Sequence, residues 1–159
     1  MAKLIKYCID TNSLIDFSRN QPFDIFRQLW VEIEKLIDNE RLIAPYLVKK
    51  EIERGSDRLV NWAKLNKKMF YDIDKEQMEI LREIMVDFQD MIDPTELYED
   101  ADPWVVALAK QQNTENVDCY VVTEEKLKNF PPNITYVCKH YGLRFLKGLD
   151  FIRNEKWQF

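Results

Sequence analysis

The chain has 159 residues, 46% hydrophobic and 32% charged, with 3 glycines and 6 prolines. That make-up fits one domain, 1–159, with a sizeable core, and excludes a disordered or fibrous chain. The net charge of −5 excludes a global attraction to nucleic acid, but residues 126–159 carry Lys126, Lys128, Lys139, Arg144, Lys147, Arg153 and Lys156 against Asp150 and Glu155. This basic end is read either as a phosphate-holding surface or as ordinary solvated charge.

The first apolar run, Leu4 to Ile9, is too short for a membrane span and lacks a signal-peptide core. It reads as a buried strand, and the expected location is cytoplasmic, with no membrane partner. Asp10-Thr11-Asn12-Ser13 breaks that strand and opens a helix. Phe26, Leu29, Trp30, Ile33, Leu36 and Ile37 keep helical spacing and predict a helix from about Pro22 to Asp38. Leu42-Ile43-Ala44 reads as a strand, followed by a helix from about Tyr46 to Arg54 that Gly55 ends. Leu59, Trp62 and Leu65 mark a further helix. Leu81, Ile84, Met85, Phe88 and Ile92 mark a long one that Pro94 closes. Asp102-Pro103 looks like a cap and first helical residue, before a run (Val105 to Ala109) apolar on most sides.

Cys119 to Val122 is a strand that Thr123 ends. Pro131-Pro132 marks a loop, Tyr136 to Tyr141 a short helix ended by Gly142, and Leu143 to Leu146 a last strand. Short apolar strands alternating with helices predict a parallel sheet covered on both faces. Cys8, Cys119 and Cys138 form no zinc-like cluster, and Cys8 and Cys119 read as reduced core residues. His140 has no partner histidine, so a catalytic role is not expected of it.

The informative residues are acids. Glu51 projects within the arc of Leu47, Val48 and Ile52, where a carboxylate is costly unless paired or metal-bound. Asp10 and Asp102 each read equally as helix caps or as ligands. Asp100 is a second candidate next door, but is assigned to the loop. Glu124 and Glu125 read as further ligands, or as the first turn of a helix capped by Thr123. In parallel sheets, sites form outside the carboxyl ends of the strands, where Asp10 and Thr123 to Glu125 lie. Clustered carboxylates suit Mg²⁺ or Mn²⁺, and such ions serve phosphodiester hydrolysis.

Ile9-Asp10-Thr11-Asn12, Ala44-Pro45 with the helix carrying Glu51, Ala101-Asp102-Pro103, and Val121-Val122-Thr123-Glu124-Glu125 together resemble a PIN-domain nuclease, over most of the chain. The resemblance implies a three-layer α/β/α sandwich around a parallel sheet. It implies a metal-dependent endoribonuclease, commonly the toxin of a toxin–antitoxin pair, with Mg²⁺ or Mn²⁺ as cofactor. Asp10, Glu51 and Asp102 match the family's first three acids. Its Thr-x-Asp is here Thr123 and Glu125, so the fourth acid is Glu125, with Glu124 the alternative. Asn12 and Thr123 are expected to orient acids or water. The expected partners are RNA, an antitoxin protein and a second copy of the chain, with the helical 59–92 region as a partner surface. The alternative is a noncatalytic PIN-like module binding RNA or protein. A phosphatase with Asp10 as nucleophile ranks last, because position 12 is Asn rather than the second Asp of DxD.

Overall fold

The computed structural model describes residues 2–55 and 57–159. The elements run β1 (Leu4–Ile9), α1 (Thr11–Asn20), α2 (Arg27–Asp38), β2 (Leu42–Pro45), α3 (Tyr46–Ile52), α4 (Asp57–Leu65), β3 (Phe70–Tyr71), α5 (Lys75–Asp87), α6 (Asp102–Gln112), β4 (Val117–Val122), α7 (Ile134–His140), β5 (Phe145–Leu146) and α8 (Gly148–Asn154). All five strands are parallel, in the order β3-β2-β1-β4-β5.

The sheet is covered on both faces because side chains alternate along its strands. Tyr7 points to one face, where its ring meets Phe151 of α8 edge-on at 4.6 Å. Phe17 of α1 and Trp30 of α2 continue that layer, and Trp30 packs on Trp62 of α4. Cys8, one residue on, turns to the opposite face, where its thiol lies 3.5 Å from the Val105 carbonyl of α6. Helices α5 and α7 flank α6 there. Residues Trp104 to Ala109 are completely buried, which is why α6 has no polar stripe: it is enclosed by sheet, α5 and α7. All three cysteines are buried and unpaired. The three-layer α/β/α sandwich read from the sequence is the fold found. Among the described residues no helix is long and apolar enough to cross a membrane.

Several boundaries differ from the sequence reading. Helix α2 starts at Arg27, not Pro22, because the N–H groups of Ile25 and Phe26 turn back to the Pro22 carbonyl. Helix α3 ends at Ile52, and Glu53 and Arg54 form the turn into Gly55. Helix α5 stops at Asp87, because Phe88 leaves helical geometry, so Ile92 is buried from a separate turn. Leu65 is 86% exposed rather than on an apolar seam. The edge strand β3 and helix α8 have no counterpart in the sequence reading. No helix follows Thr123; residues 123–133 form a loop.

At the amino ends of the strands a polar network ties the chain's last helix to its first strand. The Tyr7 hydroxyl, in a fully buried residue, bonds to the Glu155 carboxylate and accepts from the Asn154 amide at 2.8 Å. Arg41 donates to Glu155 at 2.7 Å and to the Ile5 carbonyl at 2.8 Å. Burial and the neighbouring Glu155 both push the Tyr7 phenol upward, so it stays neutral. Arg41→Ala leaves Glu155 without its cation beside a buried hydroxyl. A loss of roughly 2 kcal/mol in urea unfolding is expected, and unchanged stability would show the network to be incidental.

Candidate active site

Strand β1 pairs with β4 over its whole length, Leu4 with Val117 through Ile9 with Val122. The Asp10 N–H continues the ladder to the Val122 carbonyl at 3.1 Å. The two strands therefore end side by side. From β1 the chain moves first to β2 and β3 and only later to β4 and β5 on the other side. The crevice beyond β1 and β4 is thus the point where strand order reverses, the usual site position in such sheets.

Asp10 is 2% exposed and serves as the cap of α1, one carboxylate oxygen accepting the Ser13 N–H at 2.9 Å. The cap reading holds, and capping leaves the carboxylate's second oxygen available to the cluster. Burial raises its pKa, opposed by the Thr123 hydroxyl and by Ser13. Thr123 is 1% exposed, and its hydroxyl also accepts the Glu125 N–H at 3.2 Å. Its hydroxyl is therefore shared between the Asp10 carboxylate and the Glu125 backbone.

Glu51, half-buried on α3, accepts from the Thr11 hydroxyl at 2.5 Å. Burial raises its pKa, Asp100 adds to that, and Thr11 and Arg54 oppose it. Glu125 is raised by burial and then by Asp10, while its Oε2 accepts the Ile134 N–H at 3.1 Å. Glu124 turns away: its Oε1 accepts the Gly148 N–H at 2.7 Å. A Cβ at Gly148 would lie 2.9 Å from that oxygen and 3.0 Å from Phe17, so glycine is needed for the close approach.

Asp102 is not a cap. Ala101 precedes the helix, and Asp102 N–H donates to the Asp100 carboxylate at 2.9 Å. Asp100 thus performs the local turn bonding, and Asp102 sits in the first turn with its side chain uncommitted. Among the described residues no donor reaches the Asp102 carboxylate. It opens on a cavity of about 360 Å³ lined by Thr11, Asn12, Glu51, Arg54, Asp100 and itself. Burial, then the charges of Asp100, Glu125, Asp10 and Glu51, push its pKa from an ordinary 3.8 to about 8.

The fold therefore sets Asp102 within electrostatic reach of Asp10, Glu51 and Glu125, and Asp10 within reach of Glu125 and Glu124. Glu51 and Asn12 line the cavity with Asp102, while Asp10 and Glu125 lie outside its lining. Asp100, assigned to the loop from sequence, joins them. Thr11 and Arg54 escaped the sequence reading; Thr11 follows Asp10 directly, but nothing in the spacing marks Arg54. His140 lies elsewhere, its ring edge-on to Phe88 at 4.9 Å.

As the side chains lie, no three His, Cys, Asp or Glu among the described residues converge closely enough to enclose an ion. The donor chemistry nevertheless fits Mg²⁺ or Mn²⁺. All donors are hard oxygens, and Mg²⁺ commonly keeps several waters and takes only one or two carboxylates. Like-charged, half-dry carboxylates with one left undonated are the arrangement that a cation relieves.

The comparisons with known proteins come to few matches. The family model described as "Domain of unknown function (DUF4411)" matches residues 7–159. The chain belongs to the DUF4411 family. That description assigns its members no activity. No curated protein sequence matches this DUF4411 chain. One solved structure it resembles loosely is a chain of VapBC2 from Rickettsia felis bound to a DNA fragment from their promoter. The identity is 13% and the TM-score 0.46, over 90% of this chain and 98% of the other.

The raised acid has a consequence for the ion-free protein. With a folded pKa of about 8 against 3.8, the folded chain holds a proton at Asp102 that the unfolded chain has lost. The resulting stabilisation is fully present below about pH 4 and disappears as pH rises through 8. In chelator, the melting temperature of Asp102→Asn minus that of wild type should grow steadily from pH 5 to pH 8.5. A gap independent of pH would mean that Asp102 is not in dry, acidic surroundings.

Proposed function

We propose that this protein is a PIN-like, metal-dependent endoribonuclease whose centre is the acid cluster at the ends of β1 and β4. The observation that carries the reading is Asp102: a largely buried carboxylate without a hydrogen-bond donor among the described residues, facing a cavity and flanked by acids. Structural acids are normally paired or capping; this one is held ready for a cation.

Asp10, Glu51, Asp102 and Glu125 are the residues that would hold Mg²⁺ or Mn²⁺. When bound, such an ion supplies Lewis acidity at a phosphodiester and a more acidic water. The chain's own parts do the positioning. Thr11 aims Glu51, and Thr123 with Ser13 fixes Asp10. Glu125, not Glu124, is the fourth acid, because Glu124 is engaged by Gly148. Arg54 has no ion-pair partner among the described residues and lines the cavity. It is placed to meet a phosphate oxygen of the substrate.

A toxin role, an antitoxin partner and self-association belong to the same proposal and rest on the sequence resemblance, with the helical 59–92 region as the partner surface. They are tested by growth arrest on expression and its relief by a co-expressed partner.

Purified protein with Mn²⁺ or Mg²⁺ is expected to cleave a mixed RNA pool at internal positions, and chelation should abolish cleavage. Asp102→Asn and Glu51→Gln should each lose more than the roughly 10–100-fold typical of outer-shell partners. Cleavage that survives chelation and Asp102→Asn would locate the activity outside this cluster. RNA binding without any cleavage would favour the noncatalytic module.

A second expectation separates the two neighbouring glutamates. Glu124→Gln keeps an oxygen for the Gly148 N–H and should retain most activity. Glu125→Gln should lose on the order of a hundredfold in kcat. The reverse order would exchange their roles.

A further inference from the structure

The loop over residues 124–133 leaves the acid cluster and returns to it. Glu125 leads into it, and the same Glu125 carboxylate accepts the Ile134 N–H where the loop enters α7. Asn133 closes the inside. Its side-chain oxygen accepts from the N–H groups of Lys128 (3.3 Å) and Tyr136 (3.2 Å). Its amide donates to the Lys126 carbonyl, and its own N–H reaches the Lys128 carbonyl at 3.2 Å. Asn129 and Pro132 bridge across the tip.

Backbone groups of Lys126, Lys128, Asn133 and Ile134 are thus satisfied inside the loop, while side chains along it stay exposed. Lys126, Leu127, Lys128 and Phe130 are all exposed, Leu127 by 54% and Phe130 by 74%. Single exposed apolar residues need no explanation. Here two of them interleave with two lysines, neither of which has an ion-pair partner among the described residues. The loop is also fastened at a carboxylate of the candidate centre. An exposed aromatic ring on the same loop as unpaired cations is the composition that holds single-stranded nucleic acid, with bases stacked on the ring and phosphates on the cations.

We propose that this loop is a docking platform for single-stranded RNA: an unpaired base near the cleaved linkage stacks on Phe130, while Lys126 and Lys128 hold the adjoining phosphates. The proposal rests on the ribonuclease reading and narrows its substrate class. A base inside a duplex has both faces covered by its neighbours and cannot reach the ring, so the loop selects unpaired segments.

The test is fluorescence anisotropy of a labelled, non-self-complementary RNA decamer, single-stranded and as a duplex, in Ca²⁺ buffer. Wild type should bind the single strand more tightly than the duplex. Phe130→Ala should weaken single-strand binding about tenfold, and Phe130→Trp should restore it. Phe159→Ala, at an exposed aromatic far along the chain, should bind as wild type does. Lys126→Ala with Lys128→Ala should flatten the slope of log K against log salt by roughly 0.7 for each lysine. The proposal is overturned if duplex and single strand bind equally, if Phe130→Ala binds like wild type, or if wild type binds no single strand. Hydrolysis of bis(p-nitrophenyl) phosphate by wild type reports separately on the acid cluster. Its absence, with single-strand binding intact, removes the catalytic reading and leaves the platform standing.

Discussion

The pairing of β1 with β4 is the constraint on which the rest depends. These two strands are far apart in sequence, yet they run in register from Leu4 and Val117 to Ile9 and Val122. Their shared end sets Asp10 beside Thr123, and Thr123 in turn holds Glu125. A slip of one residue would turn Tyr7 and Cys8 to the wrong faces and break the packing of both helical layers. The register that builds the core is therefore the register that assembles the acids. Burial on both faces leaves little freedom to adjust one without the other.

The acids are arranged against their own electrostatics. Asp10, Glu51, Asp102 and Glu125 are each raised first by burial and then by their neighbours' charge, allowing for the hydrogen bonds that relieve three of them. Capping, a threonine hydroxyl and a backbone N–H account for Asp10, Glu51 and Glu125. Among the described residues nothing comparable serves Asp102. A fold that tolerates such a residue at neutral pH stores a preference for a cation or a proton at that place, which links the packing of α6 to the chemistry proposed for the cavity.

Much of this was legible in the sequence because burial leaves a strong mark. The ends of β1 and β4 and the middle of α6 are apolar runs, so sequence places β1 at its observed limits and β4 two residues short of its start. Glu51 stood out because it broke an apolar arc. What escaped had physical reasons. β3 is a two-residue edge strand, too short for any period to register. α8 opens on a glycine and carries few apolar residues, and its place is set by Tyr7 and Glu124, both distant in sequence. The Asp102 cap was misread because Asp-Pro is an ordinary helix opening; only the turn geometry hands that bond to Asp100. Glu124 and Glu125 are adjacent and chemically alike. Which one faces the cluster depends on a loop conformation and a glycine 24 residues away, neither visible in local sequence.

The latch between α8 and β1 bears on when the protein becomes complete during its synthesis. Strand β1 has one face covered by Phe151, and the buried Tyr7 hydroxyl on it is matched by Glu155 and Asn154. Its central neighbour, β4, begins only at Val117. A nascent chain therefore holds β1 unpaired on one side until β4 has emerged, exposed to wrong strand partners and to chaperones that bind apolar segments. Asp10 and Glu125 meet only after β4 has docked. Residue 155 must emerge before the Tyr7 hydroxyl and Arg41 find their carboxylate, so a chain stalled between β4 and α8 has the strands that gather the acids but lacks the network beneath them.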